Sequence, residues 1–111
     1  MDHTRVGPLL DGGYIEAYDF DMRSDRLTMR VDVLNDGRLA SYDLRFTKIS
    51  LFVFDNESNR KDDRLELTEI AFEELPSHSS TEEWKVVISM WDTTHLTVRC
   101  SVIELDDDLV T

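Results

Sequence analysis

Apolar and polar side chains alternate along most of this chain, and a period of two is the mark of strands with one buried face. Between Arg26 and Leu34, the residues Leu27, Met29, Val31 and Val33 alternate with Thr28, Arg30 and Asp32. Ala40, Tyr42, Leu44 and Phe46 then alternate with Ser41, Asp43 and Arg45. Asn35-Asp36-Gly37-Arg38 lies between them, and its Asp-Gly pair tolerates the positive φ values of a tight turn, so the spacing predicts a hairpin. A second hairpin is predicted further on. Trp84, Val86, Ile88 and Met90 alternate with Lys85, Val87, Ser89 and Trp91; Leu96, Val98, Cys100 and Val102 alternate with Thr97, Arg99 and Ser101; Asp92-Thr93-Thr94 joins the two.

Other segments are less regular. Tyr14, Glu16, Tyr18 and Phe20 share one parity, with Ile15, Ala17, Asp19 and Asp21 on the other, which predicts a strand with an aromatic face closed by a turn at Ser24-Asp25. Ile49 to Phe54 is almost continuously apolar, as expected of a strand covered on both faces. Leu65 and Leu67 are out of phase with Ile70 and Phe72, which predicts a strand with a β-bulge; a short helix competes, because Leu67, Ile70, Ala71 and Glu74 also fit helical spacing. Gly7-Pro8 and Asp11-Gly12-Gly13 are breakers, so ordered structure is expected to start near Tyr14. The polar run from Asp55 to Arg64 and the segment Pro76-Ser77-His78-Ser79-Ser80 read as loops, and Asp106-Asp107-Asp108 as a solvated acidic tail. About seven strands result. That count predicts an all-β fold, a single antiparallel β-sandwich or open barrel with at most one short helix. Residues 1–111 form one domain, with 1–12 and 106–111 expected as flexible ends.

Leu10-Asp11-Gly12-Gly13-Tyr14-Ile15 and Leu44-Arg45-Phe46-Thr47-Lys48-Ile49-Ser50-Leu51-Phe52 resemble pieces of small bacterial all-β proteins, among them YxiG-like proteins and immunity proteins that neutralise polymorphic toxins. The resemblance implies a single β-rich domain that acts by binding a partner protein, with no catalytic residues to carry over.

Charge sharpens this picture. Twenty-four Asp and Glu oppose twelve Lys and Arg, a net charge of −12 over 111 residues. Residues 1–50 hold nine acids and seven bases, whereas residues 51–111 hold fifteen acids and five bases, so −10 of the net charge lies in the second part. Such a balance disfavours nucleic acid and favours a basic protein partner. The lone Cys100 has no intrachain partner and fits a reducing compartment. No run approaches the ~18 apolar residues that span a bilayer, and the first ten residues carry no apolar core suited to a signal peptide, so a cytoplasmic location is the expectation.

Catalytic chemistry finds little support. A glycine-rich phosphate loop, a G-x-S-x-G elbow, an H-E-x-x-H helix and a C-x-x-C pair are all missing from the sequence. His78 among Ser77, Ser79 and Ser80 reads as part of a polar loop, and His95, three positions from Asp92, as a turn residue bonding the local backbone. Asp55, Asn56, Glu57, Asp62 and Asp63 offer oxygen ligands for calcium, but they lack EF-hand spacing and sit beside Arg60, Lys61 and Arg64, so a solvated loop is expected there. Cys100 falls in phase with Leu96 and Val98 and is expected in the core. Neither a cofactor nor a metal is expected.

The expectation is therefore a non-enzymatic acidic protein-binding domain, of the immunity or inhibitor kind. Its binding face would draw on Glu66, Glu69, Glu73, Glu74, Glu82, Glu83 and Trp91. Two other uses compete with it: a pocket inside the barrel for a small ligand or a reaction, signalled by Glu16, Ser41, Asp43 or Arg45 entering the core face, and a homodimer through an aromatic strand face. Because clustered carboxylates repel and salt screens them, the melting temperature is expected to rise between low and moderate ionic strength. A flat or falling melting temperature would contradict clustered acidity.

Overall fold

The computed structural model describes residues 1–56, 65–76, 83–91 and 94–110. One antiparallel sheet dominates it. Its strands are β1 (Tyr14–Asp21), β2 (Arg26–Asn35), β3 (Arg38–Asn56), β4 (Leu65–Glu66), β5 (Glu69–Leu75), β6 (Glu83–Met90), β7 (Thr94–Leu105) and β8 (Asp108–Leu109). They lie in the order β4-β1-β2-β3-β7-β6-β5, with β8 added to β7. The sheet curls into a half-barrel, so the all-β expectation takes its open-barrel form.

The predicted hairpins form. Asp36 and Gly37 take φ values of 51° and 78°, the positive pair that a two-residue turn with the right twist requires, and Asn35 faces Arg38 across it. Leu27, Met29 and Val31 pair with Phe46, Leu44 and Tyr42 on the concave side. Val86 pairs with Val98 and Ile88 with Leu96 in the second hairpin, and all four are buried. Cys100 is buried as expected, and of the two tryptophans only Trp84 enters the core.

Bulges account for most departures from the simple period. A register shift between Ile15 and Ala17 leaves Glu16 without a partner, so Ile15, Tyr18 and Phe20 face Val31, Met29 and Leu27 on the concave side. Tyr14 therefore does not share a face with Tyr18 and Phe20, and Glu16 is exposed rather than intruding on the core. β3 is one strand of 19 residues rather than two, bent where Lys48 takes φ 55° and where the register shifts between Ile49 and Leu51. It is not covered on both faces: Phe52 and Phe54 point inward, while Leu51 and Val53 are exposed on the convex side.

The segment 65–75 is strand rather than helix, and its phase change has a topological cause. Leu65 and Glu66 pair with Ile15 and Tyr14 at one end of the sheet, whereas Glu69 to Leu75 pair with β6 at the other. The chain changes partner at Leu67 and Thr68. The Gly12 N–H donates to the Leu67 carbonyl at 3.0 Å, the Leu67 N–H donates to the Gly13 carbonyl at 2.7 Å, and the Thr68 N–H donates to the Ser89 carbonyl at 2.8 Å. One short segment thus ties both ends of the sheet together.

The first residues are ordered elements. A 3-10 turn (His3–Arg5), capped by the Asp2 carboxylate on the Thr4 N–H, leads into α1 (Val6–Leu10). Val6 and Leu10 are fully buried, and the His3 ring lies 5.0 Å from Trp84 and 5.7 Å from Phe72, so this segment plugs the concave side beside β5 and β6. At the other terminus, the acidic tail expected at Asp106-Asp107-Asp108 is a turn. Asp106 and Asp107 take positive φ, β8 folds back on β7, and Val110 is buried. The Asp106 carboxylate accepts the Asp43 N–H at 2.7 Å, which holds the turn against β3.

Gly13 sits where no side chain fits: a Cβ there would lie 2.7 Å from Val31 Cγ1 and 2.9 Å from the Leu10 carbonyl. Gly13→Ala is expected to lower unfolding stability by about 1–3 kcal/mol in urea titrations, because β2 and α1 must move apart. Gly7→Ala meets only ordinary contact, 3.6 Å from Ile70, and is expected to be neutral or slightly stabilising. Equal stability for both variants would refute the close approach at Gly13.

Candidate functional site

Cross-strand partners share a sheet face, so the registers define what the convex side presents. Across β5, β6, β7 and β3, Ala71, Val87, Thr97 and Val53 form a row that is apolar except for the Thr97 hydroxyl. Glu73, Lys85, Arg99 and Leu51 flank it on one side, and Glu69, Ser89, His95 and Asp55 on the other. Trp91 follows Met90 at the end of β6; it is 57% exposed and takes φ 58°, an unusual conformation for a bulky residue.

The acidic residues singled out from the sequence divide among these positions. Glu69 and Glu73 lie exposed on the convex register of β5, whereas Glu74 faces Trp84 on the concave register and is also exposed. Glu83 is half-buried and already engaged: it accepts the Ser50 hydroxyl at 2.7 Å and sits 3.3 Å from Arg99 Nε. Glu66 belongs to the other ladder, opposite Tyr14. Glu82 lies outside the described residues, as do Asp92, His78 and the candidate calcium ligands Glu57, Asp62 and Asp63. Acidity near the C-terminal turn is partly neutralised, since Arg45 lies 3.0 Å from Asp107 and 3.9 Å from Glu104. On the first strands, Arg30 lies 3.6 Å from Asp43, and the Ser41 hydroxyl donates to Asp32 at 2.6 Å. Ser41, Asp43 and Arg45 thus face away from the core.

A second apolar surface was hidden by the bulge at Glu16. Tyr18 and Phe20 of β1 and Phe52 and Phe54 of β3 occupy concave positions beyond the reach of α1, and Phe20 meets Phe52 with ring centroids 5.1 Å apart. Tyr18 is 55% exposed and Phe54 44% exposed although both lie on core-facing registers. Beneath them, Ile15, Leu27, Met29, Leu65, Met90 and Leu96 leave about 10 Å³ of space, room for roughly one water molecule. The aromatic parity of β1 was a usable signal for this surface; its register was not.

His95 Nδ1 lies 3.2 Å from the Ser89 hydroxyl, so it bonds a side chain on the neighbouring strand rather than the local backbone. Among the described residues, no group of three His, Cys, Asp or Glu side chains is placed to hold a metal ion. The Ser24 hydroxyl and then the Arg23 N–H hold the Asp21 carboxyl below its usual range. Burial, reinforced by Glu83, pushes the Cys100 thiol up to about 12.

That thiol generates a pH test. The folded state keeps the proton while an unfolded thiol loses it near pH 8.5, so stability should hold below about pH 8.5 and fall as pH rises further, by at most about 1.4 kcal/mol per pH unit. Urea midpoints measured from pH 7 to 10 should show this fall in the wild type and a smaller one in Cys100→Ala. A native thiol that reacts quickly with an aromatic disulfide reagent would contradict the burial. No family model matches the chain, and no curated protein matches it either.

Proposed function

We propose that this chain is a non-enzymatic acidic binding domain that engages a basic protein, in the manner of an inhibitor or immunity protein. The observation that carries the reading is the edge strand β5. It ends the strand order, and Glu69, Glu73 and Glu74 line it; Lys85, opposite Glu73, is the basic residue on the β6 positions facing it. An edge strand has backbone donors and acceptors with no strand partner, and like charge along it repels a second acidic edge. The same carboxylates steer a cationic partner toward β5 and the neighbouring apolar row, raising its association rate. The internal-pocket alternative draws less support, because the cavity beneath the aromatic residues holds about 10 Å³, and the larger recess of about 340 Å³ between α1 and the start of β5 lies open to solvent.

Affinity capture from the native host with salt-gradient elution tests the proposal. A basic protein released by salt is expected. With that protein in hand, replacing Glu69, Glu73 and Glu74 together by Lys should slow association by about 10-fold or more at low salt and flatten its salt dependence. Recovery of nucleic acid in direct contact, or an unchanged association rate, would overturn the reading.

A further inference from the structure

We infer that the recess between α1 and the start of β5 seats one cationic side chain, arginine or lysine, of the basic protein partner. This rests on the basic-partner reading above and gives that partner an anchor point. The recess has a volume of about 340 Å³. That is within the range of pockets that hold small organic groups, about 300–1,000 Å³. Gly7, Pro8, Leu67 and Ile70 give it apolar walls, and Asp11, Thr68 and Glu69 complete the lining. The walls are fixed by the fold. The Asp11 N–H donates to the Gly7 carbonyl at 2.9 Å, and the Gly12 N–H to the Leu67 carbonyl at 3.0 Å. The Thr68 N–H and hydroxyl both donate to the Ser89 carbonyl, at 2.8 and 3.0 Å. These groups are engaged within the chain, so the charge offered by the recess is that of Asp11 and Glu69. Both residues are exposed, and neither forms an ion pair among the described residues. No basic residue lines the recess among the described residues.

Chemistry narrows the occupant. An anion would meet two like charges. A neutral apolar group would suit the walls but dehydrate the carboxylates without return. A metal ion finds too few ligands, since no group of three His, Cys, Asp or Glu side chains among the described residues is placed to hold one. A second copy of this chain would bring a net charge of −12 against an equal charge. An Arg or Lys side chain meets both features, with its aliphatic stem along Pro8, Leu67 and Ile70 and its charged head between Asp11 and Glu69. A small free guanidine shares that chemistry. The recess is assigned to a side chain because Glu69 belongs both to it and to the acidic edge β5 that the partner approaches.

The test titrates the full-length, isotope-labelled chain with arginine blocked at both ends (the N-acetyl, N-methylamide derivative). Equally blocked citrulline, its uncharged isostere, and agmatine, a small free guanidine, are titrated beside it. Shifts centred on Gly7, Asp11, Leu67, Thr68 and Ile70 with blocked arginine, and binding about fivefold weaker or less with citrulline, are the expected result. Asp11→Asn combined with Glu69→Gln should weaken the arginine probe about fivefold or more, whereas Asp19→Asn with Asp36→Asn, the same change of charge placed elsewhere, should leave it within about twofold. Agmatine binding more than about 10-fold tighter than blocked arginine would overturn the assignment to a protein side chain. Equal binding of citrulline, silence at the recess, or equal weakening by the two double variants would overturn the recess itself. A silent recess beside a basic protein captured from the host and released by salt would overturn the recess alone; a silent recess with no such protein would overturn both readings.

Discussion

The fold depends on one junction, where the segment from Leu65 to Leu75 leaves one end of the sheet and joins the other. Leu67 exchanges backbone hydrogen bonds with Gly12 and Gly13, and one residue later Thr68 donates to Ser89. The two ends of this sheet, β4 and β5, would otherwise be linked only through the strands between them. The junction draws those ends together. It also fixes where α1 must go, because Gly12 and Gly13 connect α1 to β1, and Gly13 is tight enough against Val31 to exclude any side chain. Val6 and Leu10 are thereby carried onto the concave side, and His3 reaches Phe72 and Trp84.

What α1 covers and what it leaves uncovered separates core from surface. Near β5 and β6 the concave side is a conventional core. Near the far ends of β1 and β3 the same registers continue past the plug, and Tyr18 and Phe54 remain in contact with water. The exposed aromatic surface is thus a consequence of how the half-barrel is filled. The convex side behaves differently, as a solvated sheet face on which several charges find local partners: Arg99 with Glu83, Arg45 with Asp107, Arg30 with Asp43. Among the described residues the acids of β5 form no ion pair, and Glu69, Glu73 and Glu74 are exposed.

Much of this was legible in the sequence wherever the period of two runs unbroken. The hairpin turning at Asp36-Gly37, the pairing of the Trp84 strand with the Leu96 strand and the burial of Cys100 all follow from alternation plus turn chemistry. Alternation fails at inserted residues, because one unpaired residue flips every later side chain to the other face. Glu16 does this in β1, so Tyr14 was grouped with the wrong aromatic residues. Ser50 does it in β3, and Lys48 breaks the period there through its positive φ, so that one long strand resembles two. The partner switch at Leu67 and Thr68 left a phase change in the sequence, but nothing local says which strands the two halves will join. Asp106-Asp107 makes a tight turn without glycine, and what distinguishes it from a tail lies outside the turn: its contact with Asp43 of β3, the pairing of β8 with β7 and the burial of Val110. The candidate acids were legible as residues but not as a surface, since Glu66, Glu83 and Glu74 each went to a different environment from Glu69 and Glu73.

Native-state amide hydrogen exchange at the junction tests the account most directly. If the Leu65–Leu75 segment holds the two ends of the sheet together, the amides of Gly12, Leu67 and Thr68 should exchange only by global unfolding, as slowly as those of Val86 and Val98 in the central strands. Rapid exchange at those three positions, with the β2–β3 and β6–β7 pairs still protected, would show that the half-barrel stands without its junction and would contradict this account.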